Sequence, residues 1–456
     1  MSVVETDRER DRSSLDVGLG LPIAAPVSVV QHVRVGLLGY GRVGQAVGAL
    51  AVDAHETLRS AGLELHLVGA LVRDRAKPRE GPPVPLRTSA ADLFATRFDV
   101  LIDVMGGEHP AYEFVRRAIE LGVHVVTANK TLVALRGREL AALAQRRGVV
   151  FAYDAAVLAG VPFLGALARR PLIASPHRIT GIINGTSHFI ACELERGGSQ
   201  ASALAEAIVR GYAEPDSSAD LGGRDAAEKL TILLQLVGCR DVAVSDLTTR
   251  SLEVVTAADV LGARALGGVI KPVAIASLDA ANPGAWVGPV FVDRSHAFAA
   301  LQGVTNAIEF AGPIGGPVTF AGPGAGPAIT AATILDDVAE ACAGTDRAAA
   351  HSWRTPPATA ASLRQAPAGR WFLRVAGAGT SVGDFAEQLA AARLPALGLV
   401  ECGRALVART AHAPWSAVTS VVESLRTAGH DVLAVPVVEL SGGPTSVTSA
   451  VTPSPR

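Results

Sequence analysis

The chain has 456 residues, 49% of them apolar, with 41 basic and 43 acidic side chains and a formal net charge of -2. That balance excludes a surface built to track phosphates of nucleic acid, and no run of about eighteen apolar residues offers a membrane span. The segment Met1 to Ser14 is charged and lacks the apolar core of a signal peptide, so a cytoplasmic protein of two to four domains is expected, with neither nucleic-acid nor membrane partners.

Residues 1–31 show no sustained periodicity and are expected to be a disordered arm. From Val33 to Leu38 the run VRVGLL reads as a buried strand, and GYGRVGQAVGALA follows as a turn entering a helix. Strands are then expected at 63–72, 98–107, 123–128 and 149–156, with helices at about 110–121 and 136–147. Strands alternating with helices imply a doubly wound parallel sheet over 32–156, an α/β unit of the Rossmann type. After Pro162 the pattern becomes mixed α+β, with a strand in RITGIING (178–185) and an amphipathic helix at about 224–237. This reads as a substrate and dimerisation domain over 157–318. The Gly-rich turn and helix of 319–345 are expected to return to the first domain, and 346–368 reads as a linker. Residues 369–440 carry a βαββαβ order, the ferredoxin-like pattern, before a Ser/Thr/Pro-rich tail at 441–456.

Four widely spaced cysteines, Cys192, Cys239, Cys342 and Cys402, form no CxxC pair, so ordinary thiols are expected. Only four of the basic residues are lysines: Lys77, Lys130, Lys229 and Lys271. A chain this biased towards arginine keeps lysine where a compact ammonium with an adjustable pKa is required, which makes each lysine a candidate.

The first motif is Gly39-Tyr40-Gly41-Arg42-Val43-Gly44 between a strand and a helix. A tight turn, close approach of backbone to a pyrophosphate and helix-on-strand packing each call for glycine there, so a dinucleotide site is favoured over a merely flexible loop. Where an NAD site usually carries an acid for the ribose hydroxyls, this chain has Arg73, then Asp74, Arg75 and Lys77, which favours NADP with NAD as the alternative. The second motif, Thr127-Ala128-Asn129-Lys130, ends a strand on the edge where such sheets bind ligands, and places Lys130 towards the cofactor. In the third, Glu214 and Asp220 precede Asp225 and Lys229, which stand i and i+4 on one helix face. A surface ion pair would not need the preceding acids; a lysine ringed by carboxylates suits proton transfer on an ammonium-bearing substrate. A fourth segment, Gly181 to Phe189, includes His188, a candidate acid whose plainer reading is a local hydrogen-bonding group.

In order and spacing, over about residues 32–345, these segments resemble the homoserine dehydrogenase family, above all GYAEPD followed by DLGGRDAAEKL at 211–230. Residues 370–440 resemble the ACT regulatory domain of longer members. The resemblance implies the NAD(P)-dependent interconversion of L-aspartate 4-semialdehyde and L-homoserine, in threonine and methionine biosynthesis. It implies Lys229 as proton donor and acceptor, Asp220 orienting the reacting end, Glu214 and Asp225 holding the substrate ammonium or its neighbours, and Lys130 near both substrate and nicotinamide. Gly326 falls at a cofactor contact. A sodium ion held by the backbone carbonyls of Val157, Ala159 and Val161 is also implied, with Asp154 beside them, as is a homodimer or homotetramer. The chain departs from the family pattern at His188 (usually Asn) and Asp154 (usually Glu). It also lacks the Asp near a Pro-Gly turn of ligand-binding ACT domains, having 376–382 (AGAGTSV) instead, so amino-acid feedback is not expected. The rivals are another small-substrate NAD(P) oxidoreductase of amino-acid metabolism, which would lack the Glu214 to Lys229 set, and a non-catalytic amino-acid sensor, which would not need its lysines.

Overall fold

The computed structural model describes residues 30–168, 176–312, 316–324, 326–343, 358–377 and 381–439. Nearly all of the expected arm, most of the expected linker, part of 376–382 and the tail lie outside the described residues.

The first sheet is formed by β1 (Gln31–Leu38), β2 (Leu63–Leu71), β3 (Leu86–Arg87), β4 (Val100–Asp103), β5 (His124–Thr127) and β6 (Phe151–Ala152). Their order is β3-β2-β1-β4-β5-β6 and every pairing is parallel. These strands are short apolar runs because both faces are covered: Val33, Val35 and Leu37 bury into one core, Leu38 and Leu101 into another. The order reverses between β1 and β4, which opens a crevice at the carboxyl ends of those strands.

Two local expectations change here. The helix expected at 136–147 begins six residues earlier, as Lys130–Arg147, because the Asn129 side chain accepts from Leu132 N at 3.2 Å and caps it. Lys130 is therefore the first residue of a helix rather than the end of a strand. The strand expected through residue 156 stops at Ala152, where Asp154 opens the helix Asp154–Leu158 with an acid in its first turn.

The second sheet has ten strands: β7 (Arg178–Ile182), β8 (Thr248–Thr249), β9 (Gly268–Ser277), β10 (Gly284–Asp293), β11 (Thr305–Gly312), β12 (Gly316–Pro323), β13 (Trp371–Ala376), β14 (Ala396–Cys402), β15 (Ala405–Thr410) and β16 (Asp431–Val438). The path runs β12-β11-β7-β9-β10-β16-β13-β15-β14, with β8 also on β10. The last four strands, with helices Val382–Ala391 and Trp415–Thr427, have the ferredoxin-like order. They are not a separate body beyond a linker, however. β16 pairs in parallel with β10 through Phe291–Val437 and Val292–Val438, and the Phe291 and Phe372 rings stack at 5.5 Å. Arg374, 4% exposed, crosses the junction to Asp259 at 2.9 Å and also holds Asp431 at 2.7 Å. Removing Arg374 would leave the buried Asp259 carboxylate uncompensated inside the joint.

Helix Pro327–Cys342 runs back to the first sheet, where Ala331, Ile334, Leu335 and Val338 join the cluster around Val35 and Val47. All four cysteines are unbridged, and among the described residues no helix is long and apolar enough to cross a membrane.

Candidate functional site

The Gly-rich turn leaves β1 at the crevice. Gly39 adopts φ +100°, and a Cβ there would meet the Val104 carbonyl oxygen at 3.2 Å. At Gly44 a Cβ would fall 2.6 Å from the Gly39 carbonyl oxygen, so the helix Arg42–Asp53 packs its backbone on the turn. Gly41, the residue before that helix, is open, with no atom within 4 Å of a Cβ placed on it. Two glycines thus close the turn and the third leaves the helix N-terminus accessible, a cradle that fits a pyrophosphate. Val43 packs on the core beneath, and Arg42 is exposed, its guanidinium 3.8 Å from where a Cβ on Gly211 would lie.

The loop after β2 folds over this turn. Arg79 donates to Tyr40 O at 3.1 Å and to the Asp74 and Lys77 carbonyls, and Gln45 Oε1 accepts from Glu80 N and Gly81 N at 2.7 and 3.1 Å. Arg73, Arg75 and Lys77 are exposed on that loop. Sequence reasoning missed Arg79 and Gln45, which fix the loop through contacts up to 39 residues apart and leave no local pattern.

Below the crevice, Asp103 at the end of β4 is buried and accepts from Met105 N at 2.9 Å and Thr127 Oγ1 at 2.9 Å. Burial pushes its carboxyl up to about 6, although those hydrogen bonds and Asn129 oppose the rise. Thr127 Oγ1 in turn accepts from Asn129 N at 3.0 Å, and Asn129 donates to Gly107 O at 2.7 Å while capping the next helix. A chain of side chains therefore sets where Lys130 starts. Asp103 was also missed; an acid closing the apolar run VLID was its one signal.

Lys130 meets the second domain at Asp225. Its Nζ lies 2.8 Å from Asp225 Oδ1, and Lys229 Nζ lies 3.0 Å from Asp225 Oδ2. Asn184, which caps helix Gly185–Glu195, donates to Asp220 Oδ1 at 2.7 Å and to Asp225 Oδ2 at 2.9 Å. Lys229 also donates to Ile183 O at 2.9 Å. Burial opposes the Asp225 charge, but Lys229 and Lys130 hold its carboxyl well below the ordinary carboxylate range. Burial likewise opposes the Lys130 ammonium, yet Asp225, Glu228 and Asp220 keep its pKa above the usual value. Asp220, less buried, is pushed up by desolvation, with Asn184 pulling the other way. An ammonium has three N–H groups, and among the described residues Lys229 uses two, so one remains for an oxygen in the crevice.

Not every candidate joins this cluster. Glu214 is exposed and, among the described residues, has no hydrogen-bond or ion-pair partner, so the structure does not bring it onto Lys229. His188 lies in the core, fully buried, with Nδ1 2.9 Å from Thr305 O. Burial, then nearby Lys271, drives its pKa down to about 3, so it is neutral and cannot serve as the acid. Gly326 sits at φ +137° before helix Pro327–Cys342 with nothing within 4 Å of a Cβ there. Val157, Ala159 and Val161 surround the turn at Gly160, φ +81°, where a Cβ would strike Ile329 Cγ2 at 2.4 Å and Pro323 O at 2.8 Å.

Comparison with known proteins was made against this geometry. Residues 39–154 match the family model described as homoserine dehydrogenase, NAD binding domain, and 162–339 match that described as homoserine dehydrogenase. A homoserine dehydrogenase of Pseudomonas aeruginosa is 35% identical over 283 residues, which cover 61% of this chain and 65% of that protein, just under two thirds of its length. A crystal structure of a homoserine dehydrogenase from Thiobacillus denitrificans is 30% identical with a TM-score of 0.78, covering 91% of this chain and all 100% of that one. One from Staphylococcus aureus is 26% identical with a TM-score of 0.72 over 90% and 99%.

Proposed function

Because the chain belongs to the homoserine dehydrogenase family, we propose that it interconverts L-aspartate 4-semialdehyde and L-homoserine, a step of threonine and methionine biosynthesis. The observation that carries this reading is the Lys229 ammonium, which among the described residues uses two of its three N–H groups, on Asp225 and Ile183 O, beside an Asp225 carboxylate shared with Lys130. The turn of Gly39, Gly41 and Gly44 would hold the pyrophosphate of a nicotinamide cofactor, which would supply the hydride.

The chain's own groups account for the rest. As the aldehyde carbon is reduced its oxygen becomes an alkoxide, and the Lys229 ammonium stabilises it and then releases a proton to it; in the reverse direction the amine takes the proton back. Asp225 keeps both lysines in place, and Asp220, held by Asn184, orients the reacting end. Glu214, exposed and without a partner among the described residues, is available for the ammonium of the substrate. Lys130, bound to Asp225, would stand near both the substrate and the nicotinamide. The proposed cofactor-binding set is Gly39, Gly41, Arg42, Val43, Gly44, Arg73, Lys130 and Gly326. The exposed cations Arg73, Arg75 and Lys77 give a 2′-phosphate its partners, which is the reason for preferring NADP to NAD.

Val157, Ala159 and Val161 would offer backbone oxygens around the turn at Gly160, where close packing on Ile329 and Pro323 O requires glycine, and a set of carbonyl oxygens is the chemistry a hard cation such as sodium takes. Such an ion would brace the turn between helix Asp154–Leu158 and helix Phe163–Ala168. Assembly as a homodimer through the second domain, or as a homotetramer, completes the reading and is read out by light scattering.

The direct test is the initial rate of L-homoserine oxidation, followed as reduced cofactor, with NADP and NAD compared and threonine added. Faster turnover with NADP, unchanged by threonine, is expected. Folded protein that binds NADPH yet turns over homoserine with neither cofactor would point to another aldehyde or ketone, or to the sensor.

A further inference from the structure

Far from the crevice, at the amino end of the first sheet, β1 and β2 bring together two histidines and a glutamate. In the parallel register His32 stands opposite Glu64, and Glu64 and His66 are two residues apart on β2, so all three project from one face. His32 Nδ1 lies 3.2 Å from His66 Nε2, 3.7 Å from Glu64 Oε1, and His66 Nε2 lies 3.4 Å from the same oxygen. Three potential ligand atoms thus converge from three side chains, all within 4.8 Å of one another. The rings stack at 5.5 Å with 16° between their planes, which holds both nitrogens to one side.

That spacing is informative. An ion bonded to ligands at about 2.0–2.1 Å in tetrahedral geometry separates them by roughly 3.3 Å, close to the distances observed. The two nitrogens could otherwise share only a single hydrogen bond, and the Glu64 oxygen near them would remain at ion-pair range of imidazoles that are charged only on protonation. Arg59 Nη1 binds the other Glu64 oxygen, Oε2, at 2.9 Å, so the carboxylate is already oriented with Oε1 towards the histidines. The side chains of His32 and His66 are 66% and 48% exposed, so the remaining coordination position faces water.

We propose that His32, Glu64 and His66 form a binding site for a divalent transition-metal ion of the zinc class. Two imidazoles and one carboxylate suit Zn²⁺ and its neighbours and disfavour Ca²⁺ and Mg²⁺, which take oxygen ligands. The site is separate from the chemistry: β1 runs from His32 to the glycine turn, roughly 20 Å at the rise of a strand. An ion there ties the first two strands together where the sheet begins, so it adds stability to the folded chain and leaves turnover alone.

The test uses full-length, tag-free protein, titrated with Zn²⁺ by calorimetry and with Co²⁺ by its visible absorption. One ion per chain is expected, with Mg²⁺ unable to compete. Binding weakens by at least about tenfold in H32A, E64A and H66A, the scale of a lost ligand or its support. Zn²⁺ raises the melting temperature of the natural chain and not of H66A, while homoserine oxidation is equal in all of them. His32 and His66 are exposed and Glu64 half-buried, and the retained rate reports folding of each variant. No saturable binding by the natural chain, or unchanged stoichiometry and affinity in the H32A/H66A double variant, overturns the proposal.

Discussion

Lys229 and Lys271 come from the same small set of lysines, and each lies against a carboxylate and a backbone carbonyl. Lys271 is fully buried on β9, with its ammonium 3.0 Å from Leu301 O, 3.3 Å from Cys192 Sγ and 3.3 Å from Glu195 Oε2. Three N–H groups meet three partners. Lys229, its side chain 14% exposed, meets two among the described residues, which leaves its third N–H for a substrate oxygen. The scarcity of lysine marks positions that require an ammonium, but the number of hydrogen bonds left unmade decides whether that ammonium is structural or chemical.

The largest effect follows from Lys229. Lys229→Ala should lower turnover per folded molecule by about two to four orders of magnitude, and Lys229→Arg should fail as well, since a guanidinium does not readily release a proton. Steady-state kinetics on protein checked by thermal unfolding decide it. Lys271→Ala should do the reverse: a loss of about 2–4 kcal/mol in denaturant unfolding, from the cavity and the stranded Glu195, with turnover per folded molecule retained. Near-normal stability there would remove the contrast between the two lysines.

Asp225→Asn sharpens the comparison from the acid side. With its partner neutralised, the pKa of Lys130 falls and both lysines lose the carboxylate that places them, so turnover should drop about tenfold in steady-state kinetics on protein checked by thermal unfolding. Unchanged turnover would show that Asp225 does not position the two lysines for the reaction. The smallest effect belongs to Asp103. Its folded pKa is raised to about 6, so it contributes stability when protonated, and that contribution is lost as pH rises through about 6. Between pH 5 and 7 the natural chain should lose about 1 kcal/mol relative to Asp103→Asn, measured by denaturant titration at each pH.

These contrasts also mark how far the sequence could be read. The glycine turn, helix Arg224–Leu236 and the Asp225–Lys229 pair were legible because each is a local pattern: three glycines between a strand and a helix, and two charges one turn apart. The partner of that pair, Asn184, lies 41 residues from Asp225, and Lys130 reaches it from another domain, so neither contact has a signature in either segment alone. His188 looked like a candidate acid beside a helix start, and only burial reveals that it belongs to the core with Lys271. The junction of β10 with β16 was invisible for the same reason: two residues of parallel pairing across a long connection leave β16 looking like the last strand of a free unit.

The measurement that tests the account most directly sets the two lysines side by side: NADP-dependent oxidation of L-homoserine by the natural chain, Lys229→Ala and Lys271→Ala, each at matched concentration of folded protein. The account predicts a loss of at least about a hundredfold for Lys229→Ala and near-natural turnover for Lys271→Ala. Equal losses in the two variants, or full turnover without Lys229, would contradict it.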